Sequence, residues 1–265
     1  MLVNIFIFAL GAVIGSFLNV CIYRLPLNRS IVFPPSHCPN CQKPIIWHDN
    51  IPILSYLLLW GRCRACQQPI SLRYPLVELL NGILYLMIVS CLGFSVYDLG
   101  FYFTAYFVST LIIIAFSDLE TGLIPDQPIF LGIILGLIYG ALGGRGLDPL
   151  LGAALGFALL FSVQKIGAYI YKKDVLGDGD LKLAAFMGAF LYPASLLLSL
   201  FLGYLMGAIV AVLLLLLRIK KMGDYIPFGP ALAAGAALTL FFGPQLLNLY
   251  VAIFIQPRYN TPGRM

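Results

Sequence analysis

The sequence predicts an all-α polytopic integral membrane protein with about eight transmembrane helices and one small polar loop domain. Composition is the first observation: 61% of the 265 residues are hydrophobic and only 10% are charged, whereas a typical soluble domain is about 25% charged. A soluble domain of this length needs a polar surface that such a composition cannot supply. The composition therefore excludes a secreted disulfide scaffold, a disordered chain and an ordinary cytosolic enzyme.

Long apolar runs are the second observation. A helix needs about 20 apolar residues to cross the hydrocarbon layer. The run from Leu181 to Leu217 is too long for one crossing, and we expect a break at Tyr192-Pro193, because proline removes a helix hydrogen bond. The eight predicted spans cover residues 1–23, 75–95, 99–118, 127–143, 148–171, 181–196, 197–217 and 228–255.

These runs divide the chain into four parts: a first transmembrane helix (1–23), a cytoplasmic loop (24–74), a membrane-embedded bundle (75–256) and a C-terminal tail (257–265). No basic residue precedes the first run, which favours a retained helix over a removed signal peptide.

Lys and Arg residues give the predicted orientation, since cytoplasmic loops carry an excess of them. Loop 24–74 holds six, and the short loops on the opposite side hold only Arg145. We therefore place the N-terminus outside and the basic loops in the cytoplasm. The net charge of +5 then reflects membrane sorting, so lipid is an expected partner and nucleic acid is not.

Four cysteines in the polar loop are the third observation. Cys38 and Cys41 form one C-x-x-C pair, and Cys63 and Cys66 form another after 21 intervening residues. Two such pairs on turns can place four thiolates tetrahedrally around one structural zinc ion. A proline follows each pair within three residues, as if one turn were used twice. The alternative, two disulfides, suits a reducing cytoplasm poorly.

Histidine and tryptophan flank the cysteine pairs. His37 and His48 are alternative ligands or bases, although loop histidines without a partner are usually surface residues. Trp47 and Trp60 are expected to anchor the loop at the headgroup layer, where amphipathic rings are favoured.

Two carboxylates at span ends are the candidate catalytic residues. Asp118 ends the third predicted span and Asp180 begins the sixth. Two spans lie between them, so both acids fall on the cytoplasmic side at the same depth. Two adjacent carboxyls do not both ionise easily, and one keeps a proton. Such a pair can take a proton from a water that attacks a peptide carbonyl while the protonated partner stabilises the oxyanion.

Five ordered motifs run along the chain: residues 15–26, the two C-x-x-C pairs, residues 73–80, the acidic stretch ending at residues 123–126, and residues 177–182. Together they resemble those of the bacterial type IV prepilin peptidases, membrane aspartic proteases of the G-x-G-D type. The resemblance covers nearly the whole chain and implies that the family's two catalytic aspartates fall on Asp118 and Asp180.

The resemblance implies a substrate and a second activity. Members cleave the short basic leader from type IV prepilins and pseudopilin precursors, after a glycine, at the cytoplasmic face of the bacterial inner membrane. Many then methylate the new N-terminal residue with S-adenosylmethionine, and the zinc-bearing loop is associated with that bifunctional form. These precursors belong to type IV pilus and type II secretion systems.

The glycine motif departs from the commonest pattern, because Asp178 lies between Gly177 and Gly179. This leaves open which acid partners Asp118, although the order Gly-Asp-x-Lys favours Asp180. Lys182 is expected to hold the pair partly ionised. A basic leader is expected to be attracted by the surrounding acids, which are Asp118, Glu120, Asp126, Asp174, Asp178 and Asp180.

Two other classes of protein fit parts of the pattern. An ion-coupled transporter would use the acids to bind cations, and inverted repeats would then be expected. A zinc-stabilised scaffold of a pilus or secretion assembly would use the cysteine loop without catalysis.

Overall fold

The computed structural model describes residues 2–172, 176–221, 224–250 and 252–253. Over those residues the chain is helical and forms no strand beyond two isolated β-bridges. Its helices are α1 Leu2–Arg24, α2 Leu54–Leu58, α3 Arg73–Leu92, α4 Leu99–Thr121, α5 Asp126–Leu142, α6 Asp148–Tyr171, α7 Asp178–Leu216 and α8 Gly229–Tyr250.

The predicted membrane class is confirmed. Within the described part of the chain, six helices are long and apolar enough to cross a bilayer, and α5, with 17 residues, is a shorter apolar helix. The count of eight spans stays a prediction, which requires that α5 crosses and that α7 counts as two. The predicted tail, 257–265, lies outside the described residues.

The expected break in the longest run lies inside α7. Tyr192 has φ 62° and ψ 172°, a non-helical conformation, and Pro193 follows it. The 39 residues of α7 are therefore two helical segments joined at the predicted position.

Small residues let the helices approach closely, as in other membrane bundles. A Cβ added to Gly15 on α1 would lie 2.7 Å from the Cα of Glu78 on α3. A Cβ added to Gly152 on α6 would overlap the carbonyl oxygen of Gly188 on α7. These contacts bring backbone against backbone, so a larger residue at either glycine would separate the helices.

A buried polar network joins α1, α3 and α4. The Asn81 amide donates to the Gly11 carbonyl at 2.7 Å, and the Ser109 hydroxyl donates to the Asn81 side-chain oxygen at 3.0 Å. The Tyr85 hydroxyl lies 3.2 Å from the Ser109 hydroxyl. Since a buried polar group without a partner is costly, this network fixes the rotation of α3 against its neighbours.

Candidate active site and metal centre

A cavity of about 440 Å³ opens at one end of the bundle, where α1 and α4 end and α5 and α7 begin. Leu25 and Asn28, just after α1, line one wall. Arg24 fixes that segment from within, because its guanidinium donates to the carbonyls of Ser30 at 2.9 Å and Pro34 at 2.7 Å. The cavity thus lies at the same end of the bundle as the cysteine loop.

Asp118 lies in the last turn of α4, is 3% exposed and lines this cavity. Its Oδ1 accepts a hydrogen bond from the Tyr225 hydroxyl at 3.0 Å. Its Oδ2 accepts one from the backbone N–H of Gly229 at 2.7 Å. Gly229 is the first residue of α8, so the carboxylate faces a helix N-terminus, where negative charge is favoured.

Asp180 lies in the first turn of α7, is 9% exposed and lines the same cavity. Its Oδ1 is buried and, among the described residues, has no hydrogen-bond partner. Asp178, by contrast, is exposed and accepts a hydrogen bond from the Gln164 amide at 2.9 Å. All three acids line the cavity, but only Asp118 and Asp180 are buried, whereas Asp178 is exposed and bonded to α6.

Two other acids predicted near the site are neutralised by cations. The Lys182 ammonium lies 2.8 Å from both carboxylate oxygens of Asp126, so the expectation that Lys182 holds the aspartate pair ionised is wrong. Glu120 forms an ion pair with Arg73. Asp174, also predicted to attract a basic segment, lies outside the described residues.

The two glycines of the motif differ in their surroundings. A Cβ added to Gly179 would lie 2.9 Å from the Cβ of Ile124 in the α4–α5 loop, so this glycine permits close packing of the α7 start. Among the described residues, a Cβ added to Gly177 would have only the Asp180 carboxylate within 4 Å, at 3.7 Å. Of the two, Gly177 is the one that leaves room beside the carboxylates.

Tyr225 and Gly229 were not anticipated from the sequence. Tyr225 lies in the α7–α8 loop and Gly229 begins α8. The sequence feature that could have indicated them is the stretch from Pro227 to Pro230, which precedes an apolar run. The Tyr225 ring also lies against Gly122, at 3.3 Å from a Cβ placed there. Burial of the hydroxyl and its hydrogen bond to Asp118 raise the pKa of Tyr225 to about 12, so the hydroxyl keeps its proton at neutral pH and remains a hydrogen-bond donor.

The four predicted cysteine ligands meet at one point in the polar loop. The Sγ atoms of Cys38, Cys41, Cys63 and Cys66 all lie within 4.8 Å of one another, and none is in a disulfide. Cys38 Sγ and Cys66 Sγ are 3.8 Å apart. Thiolates about 2.3 Å from a tetrahedral zinc ion lie about 3.8 Å from each other, so these side chains fit the predicted metal.

The two cysteine turns share one hydrogen-bonding pattern, as the repeated spacing predicts. In the first turn Cys38 N donates to Lys43 O and Gln42 N donates to Cys38 O. In the second, Cys63 N donates to Gln68 O and Gln67 N donates to Cys63 O. A bridge to the following proline closes each turn, and both Gln42 and Gln67 have positive φ.

The flanking side chains stabilise the loop rather than extend the ligand set. His37 Nδ1 lies 3.0 Å from the Pro35 carbonyl, and neither His37 nor His48 belongs to the cysteine cluster. Arg64 donates two hydrogen bonds to Asp49, at 2.7 and 2.8 Å. These bonds lower the pKa of the Asp49 carboxyl and join the Trp47–Asn50 turn to the second cysteine turn.

Two family models match this chain. The Bacterial Peptidase A24 N-terminal domain matches residues 9–92, and the Type IV leader peptidase family matches residues 105–212. The first covers α1, the cysteine loop and α3, and the second covers most of α4 through α7. No solved structure matches the chain.

Curated relatives carry the name "Prepilin leader peptidase/N-methyltransferase". The Aeromonas hydrophila protein is 37% identical over 94% of this chain and 94% of its own length. The Neisseria gonorrhoeae protein is 36% identical over 84% of this chain and 85% of its own length. The Myxococcus xanthus protein is 41% identical over 80% of this chain, which spans 63% of that relative. The resemblance inferred from the motifs is confirmed.

Proposed function

The chain belongs to the type IV leader peptidase family, and from that membership we propose that it cleaves the basic leader peptides of type IV prepilins and pseudopilins. Asp118 and Asp180 are the proposed catalytic residues. The observation that supports this best is that two buried carboxylates, delivered by different helices, line one cavity at the end of the bundle. A polar cavity admits the water that hydrolysis needs and that lipid excludes.

The hydrogen bonds suggest different roles for the two acids. Asp118 accepts from Tyr225 and from the α8 N-terminus, an arrangement that suits a carboxylate and therefore the base that deprotonates the attacking water. Asp180 has a buried oxygen without a partner and is placed to keep its proton. It would donate to the scissile carbonyl as the oxyanion forms. The proton taken from water then passes from Asp118 to the leaving amine, and as the C–N bond breaks the new carboxyl group returns the other proton to Asp180.

The substrate would enter from the cytoplasmic side of the inner membrane. The basic leader would lie over the exposed Asp178, and the apolar helix after the cut would lie among the spans. The six basic residues of loop 24–74 support a cytoplasmic location for the cavity end of the bundle, because cytoplasmic loops carry an excess of Lys and Arg.

We propose N-methylation of the new N-terminal residue as the second activity, with S-adenosylmethionine as donor. The names of the relatives and the four-cysteine loop support it. Zinc is the proposed metal in that loop. Cys38, Cys41, Cys63 and Cys66 would hold it, and four thiolates without an open position serve structure rather than chemistry.

Single replacement of each acid tests the peptidase. Asp118→Asn and Asp180→Asn should each abolish cleavage of a prepilin in membranes, because the amide neither accepts nor donates the required proton. Asp148→Asn is the matched control, since Asp148 begins α6 at the opposite end of the bundle. Continued cleavage by either active-site variant would refute the proposed catalytic pair.

Mass spectrometry of the mature pilin tests the methyltransferase separately. The cleaved product should carry one added methyl group when S-adenosylmethionine is present. An unmodified N-terminus from an actively cleaving preparation would restrict the chain to proteolysis.

A further inference from the structure

The short helix α2 presents its apolar side to the outside of the protein. Leu54, Leu57 and Leu58 lie at helical spacing i, i+3 and i+4 and are exposed, with Leu58 76% exposed. Trp60 follows directly and is 88% exposed. Ser55 and Tyr56, the polar-ended residues of this helix, are partly buried instead. A water-facing helix would show the reverse arrangement, so this surface requires an apolar environment.

Contacts at the start of α2 place it at membrane depth. The backbone N–H of Ile53, the residue before α2, donates to Glu78 Oε2 at 2.7 Å. Glu78 lies five residues inside α3 and directly against Gly15 of α1. The α1 helix continues for nine residues beyond Gly15 to Arg24, a distance of about 13 Å. The beginning of α2 is therefore well below the cytoplasmic end of α1.

The neighbouring surface of α3 has the same character. Leu79 follows Glu78 directly on α3, and Leu76 lies two residues before it. Both leucines are exposed, and α3 is a candidate membrane span. The segment that carries α2 is therefore bonded to a helix whose own exposed residues near that contact are apolar. Two exposed cations of the loop, Lys43 and Arg62, suit the anionic headgroups of a cytoplasmic leaflet.

We propose that α2 and Trp60 form an interfacial anchor, inserted at the boundary between headgroups and acyl chains of the cytoplasmic leaflet. Lipid is the occupant of this surface. Glu78 holds the anchor at its depth by accepting the hydrogen bond of the Ile53 N–H. This inference does not depend on the peptidase activity.

The composition of the chain makes the anchor directly measurable, because Trp47 and Trp60 are its two tryptophans. Trp47→Phe leaves Trp60 as the sole tryptophan, and Trp60→Phe leaves Trp47. The zinc-loaded full chain would be reconstituted into vesicles of phosphatidylethanolamine and phosphatidylglycerol that contain brominated phosphatidylcholine. Bromines would be placed either near the glycerol backbone or at the chain end.

We expect Trp60 emission to fall with bromines near the glycerol backbone, to respond weakly to bromines at the chain end, and to resist aqueous iodide. Quenching of Trp60 by iodide with no response to brominated lipid would overturn the proposal. Protection from iodide that disappears when the protein is diluted in lipid would also overturn it, because the cover would then be a second copy. If Trp47→Phe does not fold, the difference between wild type and Trp60→Phe gives the Trp60 signal.

Discussion

The cysteine centre and the carboxylate site are built over very different sequence distances. Each cysteine turn is closed by hydrogen bonds within a few residues, and the same bonds occur in both turns. Asp118, in contrast, takes its two hydrogen bonds from residues 107 and 111 positions away. The first site depends on local backbone conformation and the second on how helices pack, so each should respond to a different kind of substitution.

The largest expected effect is the loss of the metal from the local site. Cys38→Ser removes one of four thiolates and should reduce bound zinc from one ion per chain to none, because structural zinc binding of about 10–16 kcal/mol relies on the complete ligand set. Metal analysis of purified protein is the measurement. Cys91→Ser, at an exposed cysteine on α3, is the control and should keep its zinc. Full zinc content in Cys38→Ser would refute the four-cysteine centre.

Gly229→Ala should produce the largest effect on the carboxylate site short of removing an acid. The added Cβ would lie 2.8 Å from Asp118 Oδ2 and 3.2 Å from Asp118 Cγ, so either the carboxylate or the start of α8 must move. A displacement of about 1 Å in a catalytic group can cost about 100-fold in rate, and we expect cleavage to slow by about that factor.

Gly143→Ala supplies the comparison for this variant. It adds the same methyl group at the far end of the bundle, where the nearest atom outside the adjacent residues is 3.3 Å away, and it should leave the cleavage rate unchanged. Equal rates for the two alanine variants would show that Gly229 does not position Asp118.

Sequence patterns anticipated the features that depend on composition or local spacing. These include the membrane class, the break at Tyr192-Pro193 and the paired cysteine turns. The location of Asp118 and Asp180 at one end of the bundle followed from counting spans.

Such patterns did not predict which side chains contact each other across different helices. Lys182 was expected beside Asp180, two residues away, yet it binds Asp126 on α5. The direction of the Lys182 side chain depends on how α7 is rotated about its axis. Helix packing determines that rotation, and the apolar content of the sequence does not reveal it. The Ile53 contact with Glu78 likewise joins a loop to a helix through a strained residue that has φ 62°, and no local motif marks it.

Tyr225→Phe removes one of the two long-range hydrogen bonds of the carboxylate site and nothing else. The ring remains against Gly122, and only the donor to Asp118 Oδ1 is lost. A hydrogen bond to a charged group contributes about 1.5–3 kcal/mol, so kcat should fall by roughly 10- to 100-fold while KM stays constant.

The split between kcat and KM distinguishes positioning from folding. Tyr225→Ala, which also removes the ring, should lose more activity than Tyr225→Phe. If Tyr225→Phe matches wild type in kcat while Tyr225→Ala is impaired, the tyrosine contributes packing alone.

The smallest expected effect concerns the charges at the mouth of the cavity. Asp178 is bound only to a neutral amide among the described residues, whereas the Asp126 charge is balanced by Lys182. Asp178→Asn should therefore raise KM for a basic leader by about threefold at low salt, and the difference should vanish at high salt, since exposed charges are screened.

The double variant Asp126→Asn with Lys182→Met is the control for this test. It removes two opposite charges and leaves the net charge of the site unchanged. Its KM should equal that of wild type at every salt concentration. If the double variant raises KM as much as Asp178→Asn does, the leader contacts the ion pair itself. If Asp178→Asn lowers kcat instead of raising KM, Asp178 takes part in the chemistry, and the role proposed for Asp180 would have to be reassigned.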